Sequence, residues 1–162
     1  MVLLDYARSQ LEEAQQYLSD SDRFIFVVGD VYRLPFVDGL FDVLTMVRVM
    51  HHLVDVPRAL TELQRIIRSE GVAILEHASK QHLKSIARWL LRRQTWNPFD
   101  PQPVEFVELN YDFHPGWMRQ QLTEASFRVE KVRSVSHFRI PLLKKVLPPR
   151  WLATWDALAQ PT

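Results

Sequence analysis

The sequence contains no cysteine and only four glycines among its 162 residues. The lack of cysteine excludes disulfides, thiolate metal ligands and a cysteine nucleophile, and it favours a reducing compartment, so a cytoplasmic location is expected. The closest two glycines, Gly29 and Gly39, are ten positions apart. No glycine-rich loop of the kind that cradles phosphates or a dinucleotide is therefore present. No apolar run approaches the length of a membrane span or of a signal-peptide core.

The charges are distributed unevenly along the chain. Residues 1–76 carry a net charge of −5 and residues 77–162 a net charge of +6. A basic half is compatible with an acidic substrate, an anionic membrane surface or a nucleic acid, and also with an ordinary solvated surface. No nucleic-acid partner is expected, because the sequence contains no recognised nucleic-acid-binding module.

The pattern of apolar residues in the first half predicts alternating strands and helices. Helical spacing predicts helices at residues 7–18 and from Pro57 onward, where proline is tolerated in the first turn. Short continuous apolar runs predict buried strands at 2–4, 24–28, 41–47 and 72–75. This order predicts an α/β fold, a parallel sheet with helices on both faces wound in the Rossmann manner.

The second half is less regular. Its first element is a predicted amphipathic helix at residues 82–93, with four basic residues beside an apolar face. This helix and the basic tail after residue 138 are interpreted either as a cap over a substrate cleft with a docked tail, or as a membrane-surface contact. The remaining predictions are a loop at 97–103, a helix at 115–125, one or two strands at 127–138 and a last helix at 151–158.

One continuous stretch resembles a known enzyme family. Residues 29–44, Gly-Asp-Val-Tyr-Arg-Leu-Pro-Phe-Val-Asp-Gly-Leu-Phe-Asp-Val-Leu, are similar to the third-to-fourth strand region of class I S-adenosylmethionine-dependent methyltransferases, in the type 11, ubiquinone/menaquinone-biosynthesis-like group. Met50-His51-His52-Leu53 resembles the segment that follows the fourth strand there. Residues 59–71 resemble the next helix and turn, and residues 114–127 resemble the penultimate helix. The resemblance covers roughly residues 2–138.

The resemblance implies a Rossmann-like sheet that ends in an antiparallel strand pair. The family places a first strand and a glycine-rich loop before the segment that matches Val2, so the chain is expected to be N-terminally truncated. That strand would lie between the strands predicted at 2–4 and 41–47. A smaller departure is Ser126, where the family usually has glycine. The expected organisation is a partial methyltransferase domain at 1–140, with a substrate cap at 82–125, and a C-terminal tail at 141–162.

The resemblance implies S-adenosylmethionine as the cofactor. It assigns the ribose hydroxyls to the Asp5 carboxylate, the adenine amino group to Asp30, and an adenine ring nitrogen to the backbone N–H of Val31. Without the resemblance, the sequence position of Asp5 also fits a helix cap, and that of Asp30 also fits a turn residue. The residues implied to bind the cofactor are Asp5, Tyr6, Asp30, Val31, Val47 and Arg48.

His51 and His52 are the candidate catalytic residues. A histidine beside a methyl donor can orient the acceptor or take a proton near neutral pH. The alternative is that they cap or pack against the next helix, for which Asp55 is the predicted cap. The residues predicted to line the substrate pocket or its lid are Glu76, His77, Tyr111 and His114. No metal is expected, because no His/Asp/Glu cluster has ligand spacing.

The expected activity is methyl transfer to a small-molecule or lipid-like acceptor. Because the sulfonium of this cofactor is already activated, alignment supplies much of the rate and no nucleophile–base pattern is required. The alternative is a non-catalytic methyltransferase-like remnant or partner subunit, including one that associates with a membrane surface. Without a glycine-rich loop, the chain alone is expected to bind the cofactor weakly or not at all.

Overall fold

The protein has an α/β fold in a computed structural model that describes residues 1–18, 22–136 and 153–161. The alternation of strands and helices predicted for the first half is confirmed. None of the described helices is long and apolar enough to cross a membrane. The elements are β1 (Val2–Asp5), α1 (Arg8–Leu18), β2 (Ile25–Val28), β3 (Phe41–Met46), a 3-10 turn (Met50–His52), α2 (Val56–Ile66), β4 (Ile67–His77), α3 (Leu83–Leu90), β5 (Val104–Val107), β6 (Asn110–Asp112), α4 (Pro115–Glu124), β7 (Phe127–Ser136) and β8 (Ala153–Pro161).

The main strands form two groups. β1 and β2 pair in parallel, with Asp5 opposite Val28. β3 pairs in parallel with β4, and β8 lies antiparallel between β4 and β7. The predicted Rossmann-like sheet with a C-terminal antiparallel strand pair is confirmed. Among the described residues, β1 and β3 each have a strand neighbour on one side only.

The helix predicted at residues 151–158 is wrong. Residues 153–161, which were assigned to a tail, form β8 inside the main sheet. Alanine and leucine favour a helix locally, but helix propensity is a weak preference that tertiary pairing overrides. Here β8 bonds to strands on both sides, with Ala157 opposite Leu75 of β4 and Val132 of β7.

The centre of the core is the inner face of α2. Asp55 caps this helix by accepting a hydrogen bond from the Arg58 N–H at 3.1 Å, which confirms the predicted cap. The predicted apolar face is confirmed, because Ala59, Leu60 and Leu63 are all 3% exposed or less. Burial of one such leucine stabilises the fold by about 1.5–3 kcal/mol. These side chains pack in one cluster with Met46, Leu75, Phe113, Met118 and Leu122.

Gly71 lies within β4, at a position where no side chain fits. A Cβ atom there would lie 2.5 Å from Cγ1 of Ile67, 3.0 Å from the carbonyl oxygen of Arg68 and 3.1 Å from that of Asp42. We expect Gly71→Ala to lower the free energy of unfolding by about 1–3 kcal/mol, the usual cost of overpacking. Urea denaturation followed by circular dichroism measures this change.

The matched control for Gly71→Ala is Gly39→Asn. Gly39 has a φ of 59°, and a Cβ there would meet nothing within 4 Å. Since asparagine tolerates the left-handed region, Gly39→Asn is expected to change stability by less than about 0.5 kcal/mol. The cost at Gly71 is expected to shrink in an Ile67→Ala background, where the closest clashing atom is absent. A Gly71→Ala variant as stable as the wild type contradicts this description of the β3–β4 contact.

Candidate functional site

The carboxyl ends of β1 and β2 bring two predicted site residues to the same edge. The Asp5 Oδ1 atom accepts a hydrogen bond from the Ala7 N–H at 2.8 Å, and the Asp30 Oδ1 atom accepts one from the Tyr32 N–H at 2.9 Å. The Gly29 N–H donates to the carbonyl oxygen of Asp5 at 3.0 Å, which joins the two strand ends. In the part of the chain that the structure describes, the second carboxylate oxygen of each aspartate has no hydrogen-bond partner. Each aspartate therefore shapes its own turn and keeps an acceptor for a ligand.

The loop that follows Asp30 is fixed to α2 by two charged residues that the sequence analysis missed. The Arg65 guanidinium donates to the carbonyl oxygens of Leu34 at 3.0 Å and Phe36 at 2.7 Å, and it also pairs with Asp38 and Glu62. Glu62 in turn accepts from the Leu34 N–H at 2.8 Å. The hydrogen bond from Arg65 lowers the pKa of Glu62, which keeps it ionised. The signal in the sequence was the Glu62–Arg65 spacing of three residues on a helix.

A strained residue follows β3. Arg48 has a φ of 59°, in the left-handed region that a non-glycine residue adopts at a cost. The preceding Val47 is 54% exposed. Because β3 and β4 run in parallel, with Met46 opposite Leu75, Val47 and Glu76 emerge side by side at the carboxyl edge. The predicted residues Val47, Arg48 and Glu76 therefore lie together at the carboxyl edge of β3 and β4.

His51 and His52 lie next to this edge in the 3-10 turn, with ring centroids 3.9 Å apart. Burial lowers the pKa of His51, as do His52 and Arg48, while Glu76 opposes them. The His52 Nδ1 atom lies 3.0 Å from the carbonyl oxygen of Leu109. A carbonyl only accepts, so Nδ1 carries the proton and Nε2 of the neutral ring is left as an acceptor. The geometry gives His52 the tautomer that a proton acceptor needs.

Glu76 and His77 do not line the same pocket, because neighbouring residues of a strand face opposite sides of a sheet. Glu76 is on the His51 side, whereas His77 is 4% exposed and packs edge-on against Phe113 with ring centroids 6.3 Å apart. Burial lowers the pKa of His77 to about 4. His77 instead borders a mainly apolar cavity of about 180 Å³ between α4 and β7.

Tyr111 lies in the second strand of a hairpin that was not predicted, and His114 follows that hairpin. β5 and β6 form this hairpin, and its Leu109 meets His52. Partial burial, together with Glu105, raises the pKa of Tyr111. The His114 Nδ1 atom accepts from the Gly116 N–H at 3.1 Å and caps α4, and its Nε2 atom lies 2.8 Å from the Gln81 amide. Since both ring nitrogens are engaged, the structure favours a structural role for His114.

The sequence analysis also missed a buried lysine at the end of β4. Lys80 is 2% exposed, and its Nζ atom donates to the carbonyl oxygen of Gln102 at 2.6 Å. Burial lowers the pKa of Lys80, and burial also raises the pKa of the nearby Asp112 to about 6. Lys80 thereby ties the loop after α3 to the sheet. Nothing in its sequence context distinguishes it from a surface lysine.

The described residues thus contain two groups of candidate site residues. Asp5 and Asp30 lie at the edge of β1 and β2, and His51, His52 and Glu76 lie beyond β3 and β4. No group of three His, Asp or Glu side chains in the described part of the chain is close enough to hold a metal ion.

Comparison with known proteins finds a family match in the first half of the chain. Residues 1–75 match the family described as "Methyltransferase domain". This match agrees with the resemblance to class I S-adenosylmethionine-dependent methyltransferases that the sequence motifs indicated.

Two curated relatives and one solved structure illustrate the similarity. A demethylmenaquinone methyltransferase of Thermotoga maritima is 32% identical over 100 residues, covering 59% of this chain and 42% of the relative. A 2-phytyl-1,4-naphtoquinone methyltransferase of Trichormus variabilis is 30% identical over 94 residues, covering 54% of this chain and 41% of the relative. A SAM-dependent methyltransferase of Aquifex aeolicus aligns with a TM-score of 0.65 at 14% identity, covering 99% of this chain and 68% of that one. The chain thus spans less than half the length of these two curated relatives, and the solved structure confirms its fold.

Proposed function

We propose that this chain carries part of the active site of a methyltransferase that uses S-adenosylmethionine. The observation that supports the proposal is the pair Asp5 and Asp30, which lie on adjacent parallel strand ends within the matched segment and keep one free acceptor oxygen each among the described residues. Parallel α/β sheets bind ligands at this edge. The two aspartates fit the hydroxyl and amino donors of an adenosine group.

The remaining predicted contacts extend from this pair. We propose that Asp5 accepts from the ribose hydroxyls, that Asp30 accepts from the adenine amino group, and that the Val31 N–H meets an adenine ring nitrogen. Tyr6, which is 80% exposed, lies beside Asp5 and is free to cover the sugar. Val47 and Arg48 would contact the methionine part, since they follow β3 at the carboxyl edge of the β3–β4 pair. When bound, the cofactor supplies an activated methyl group.

We further propose a quinone-like acceptor with an apolar tail. The names of both curated relatives refer to methylation of a quinone, demethylmenaquinone in one and 2-phytyl-1,4-naphtoquinone in the other. The surroundings of His52 suit such a molecule, because Val47, Val49 and Leu109 are between 41% and 54% exposed there. An apolar rim beside a polar pair is the usual composition of a small-molecule site.

The proposed chemistry requires one proton acceptor. Transfer of a methyl group to a ring carbon of a reduced quinone would form a carbon–carbon bond, break the carbon–sulfur bond of the sulfonium, and release S-adenosylhomocysteine and one proton from the acceptor. We propose that the lone pair on Nε2 of His52 accepts this proton, and that the neutral His51 packs beside it. Glu76, on the same side of the sheet, then stabilises the imidazolium that forms.

We expect His52→Gln to reduce methyl incorporation by about 10²-fold, the lower range for loss of a general base. The assay follows transfer of a labelled methyl group from S-adenosylmethionine to a reduced 1,4-naphthoquinone with a short prenyl chain. The control is His114→Gln, which alters a histidine that caps a helix and is expected to keep most of the activity. Equal activity of the wild type and His52→Gln overturns the proposed role of His52. Because the chain alone is expected to bind the cofactor weakly, the proposed function is overturned if the folded chain shows no cofactor binding even at high cofactor concentration.

A non-catalytic partner subunit is the second candidate. It is favoured by the strand edges of β1 and β3 that have no neighbour among the described residues, since unpaired edges are sites for association with another chain. Such a subunit would not bind S-adenosylmethionine at Asp5 and Asp30. Cofactor binding therefore distinguishes the two candidates.

A further inference from the structure

The large apolar residues of α3 are only partly covered by the protein, because Leu83, Ile86 and Trp89 are half-buried and Leu90 is exposed. Ser85 is the only residue of this helix that is buried. Leu90 and Leu91, at its C-terminal end, are 67% and 63% exposed. Phe99, which is 50% exposed, packs edge-on against Trp89 with ring centroids 5.7 Å apart. The helix end and the loop after it therefore present large apolar side chains on one surface.

The charged residues of α3 and of the segment directly after it all have the same sign, and the first acidic residue beyond them is the exposed Asp100, next to Phe99. Lys84, Arg88, Arg92 and Arg93 are exposed and lie on α3 or directly after it. No acidic residue occurs between Gln81 and Phe99. None of the four cations forms a salt bridge within the described residues. An apolar helix end with four cations on or directly after the helix is the composition of a helix that lies in the interface of an anionic membrane.

We propose that the surface formed by α3, Leu91–Arg93 and Phe99 docks the protein onto an anionic lipid bilayer. Leu90, Leu91 and Phe99 enter the headgroup region, while the cations meet the phosphates of acidic lipids. The helix is too short to span a membrane, so the contact is peripheral. A second copy of the chain is a poorer occupant, because it would bring four cations against four cations.

The proposal is independent of the proposed methyl transfer. A protein that docks in this way gains access to lipid-like molecules, but docking requires only the apolar patch and its cations. Failure of docking would leave cofactor binding at Asp5 and Asp30 unaffected, so the two proposals fail separately.

The test is co-sedimentation of the full chain with phosphatidylcholine vesicles that either contain about 30% phosphatidylglycerol, an anionic lipid, or lack it. We expect binding to the anionic vesicles only, and we expect it to weaken at high salt. Arg92→Gln/Arg93→Gln is expected to lower the partition coefficient by roughly thirtyfold, about fivefold per cation. Leu90→Asp/Leu91→Asp is expected to lower it at least about tenfold, because two apolar anchors are lost.

Matched control variants remove the same charge or apolar surface elsewhere. Arg8→Gln/Arg33→Gln changes two other exposed arginines, and Tyr17→Asp/Val37→Asp changes two exposed apolar residues that are 82% and 70% exposed. Both controls are expected to bind vesicles more tightly than the α3 variants. The proposal is overturned if the folded wild type binds no anionic vesicle, or if the control variants lose as much binding as the α3 variants. It is also overturned if light scattering shows that Leu90→Asp/Leu91→Asp only separates a dimer.

Discussion

Replacing Asp5 with alanine is expected to lower the affinity of the chain for S-adenosylmethionine by at least about 100-fold. The proposed contact consists of two hydrogen bonds from ribose hydroxyls to one carboxylate, and a hydrogen bond to a charged group contributes about 1.5–3 kcal/mol. The free-energy cost of losing both bonds therefore exceeds the roughly 2.7 kcal/mol that corresponds to a 100-fold change in affinity. Equilibrium dialysis with labelled S-adenosylmethionine at high protein concentration measures the affinity.

Two further variants separate binding from helix capping. Asp5→Asn keeps an oxygen for the Ala7 N–H but loses the negative charge and one acceptor, so it is expected to fold normally and bind poorly. Asp55→Ala removes the cap of α2 and is expected to cost about 1 kcal/mol of stability without affecting the cofactor. If Asp5→Asn binds as tightly as the wild type, the proposed ribose contact is wrong.

Replacing His77 with leucine is expected to make the protein more resistant to acid. An unfolded histidine takes up a proton near pH 6.5, whereas burial lowers the pKa of His77 to about 4 in the folded protein. Between these pH values the unfolded state binds more protons, so this group destabilises the fold as the pH falls. The contribution reaches about 3 kcal/mol at pH 4. The free energy of unfolding of His77→Leu, relative to the wild type, should rise by about that amount between pH 7 and pH 4.

Asp112 opposes His77 over much of the same pH range. Burial raises its pKa to about 6 from an ordinary value of 3.8, so the folded state binds more protons between these values. This group therefore stabilises the fold as the pH falls from 6 to 4, and it partly hides the effect of His77 in the wild type. Asp112→Asn should show a steeper loss of stability in acid. Urea denaturation at pH 7 and pH 4 measures these free energies of unfolding. If the stability difference between His77→Leu and the wild type is the same at both pH values, the proposed effect of His77 is wrong.

The sequence predicted the parts of the fold whose local pattern agrees with their environment. The helix after Asp55 has a cap, a proline in its first turn and apolar residues at helical spacing, and it forms as predicted. In strand β8 the local pattern disagrees with the structure. Ala157 and Leu158 favour a helix, but hydrogen bonds to β4 and β7 on both sides stabilise a strand instead. Such pairing depends on residues far away in the chain, and no local pattern contains it.

The candidate site was predictable to a similar extent. Asp5 and Asp30 were named because the family resemblance assigns them to the cofactor, and their common position agrees with the rule that parallel strands end at one edge. The different directions of Glu76 and His77 follow from strand geometry, but which of the two faces the core depends on α4 and Phe113. Lys80 was missed because its burial arises from the loop that contains Gln102 and Trp96.

The most direct test of the central claim is to titrate S-adenosylhomocysteine into the isotope-labelled chain and record its amide NMR spectrum. This measurement detects weak binding and identifies the residues involved. We expect saturable shifts centred on Asp5, Tyr6, Asp30 and Val31, which disappear in Asp30→Ala while Asp55→Ala retains them. A folded chain whose amides at these positions do not respond, or whose shifts occur elsewhere, would contradict the assignment of the β1–β2 edge as the cofactor site.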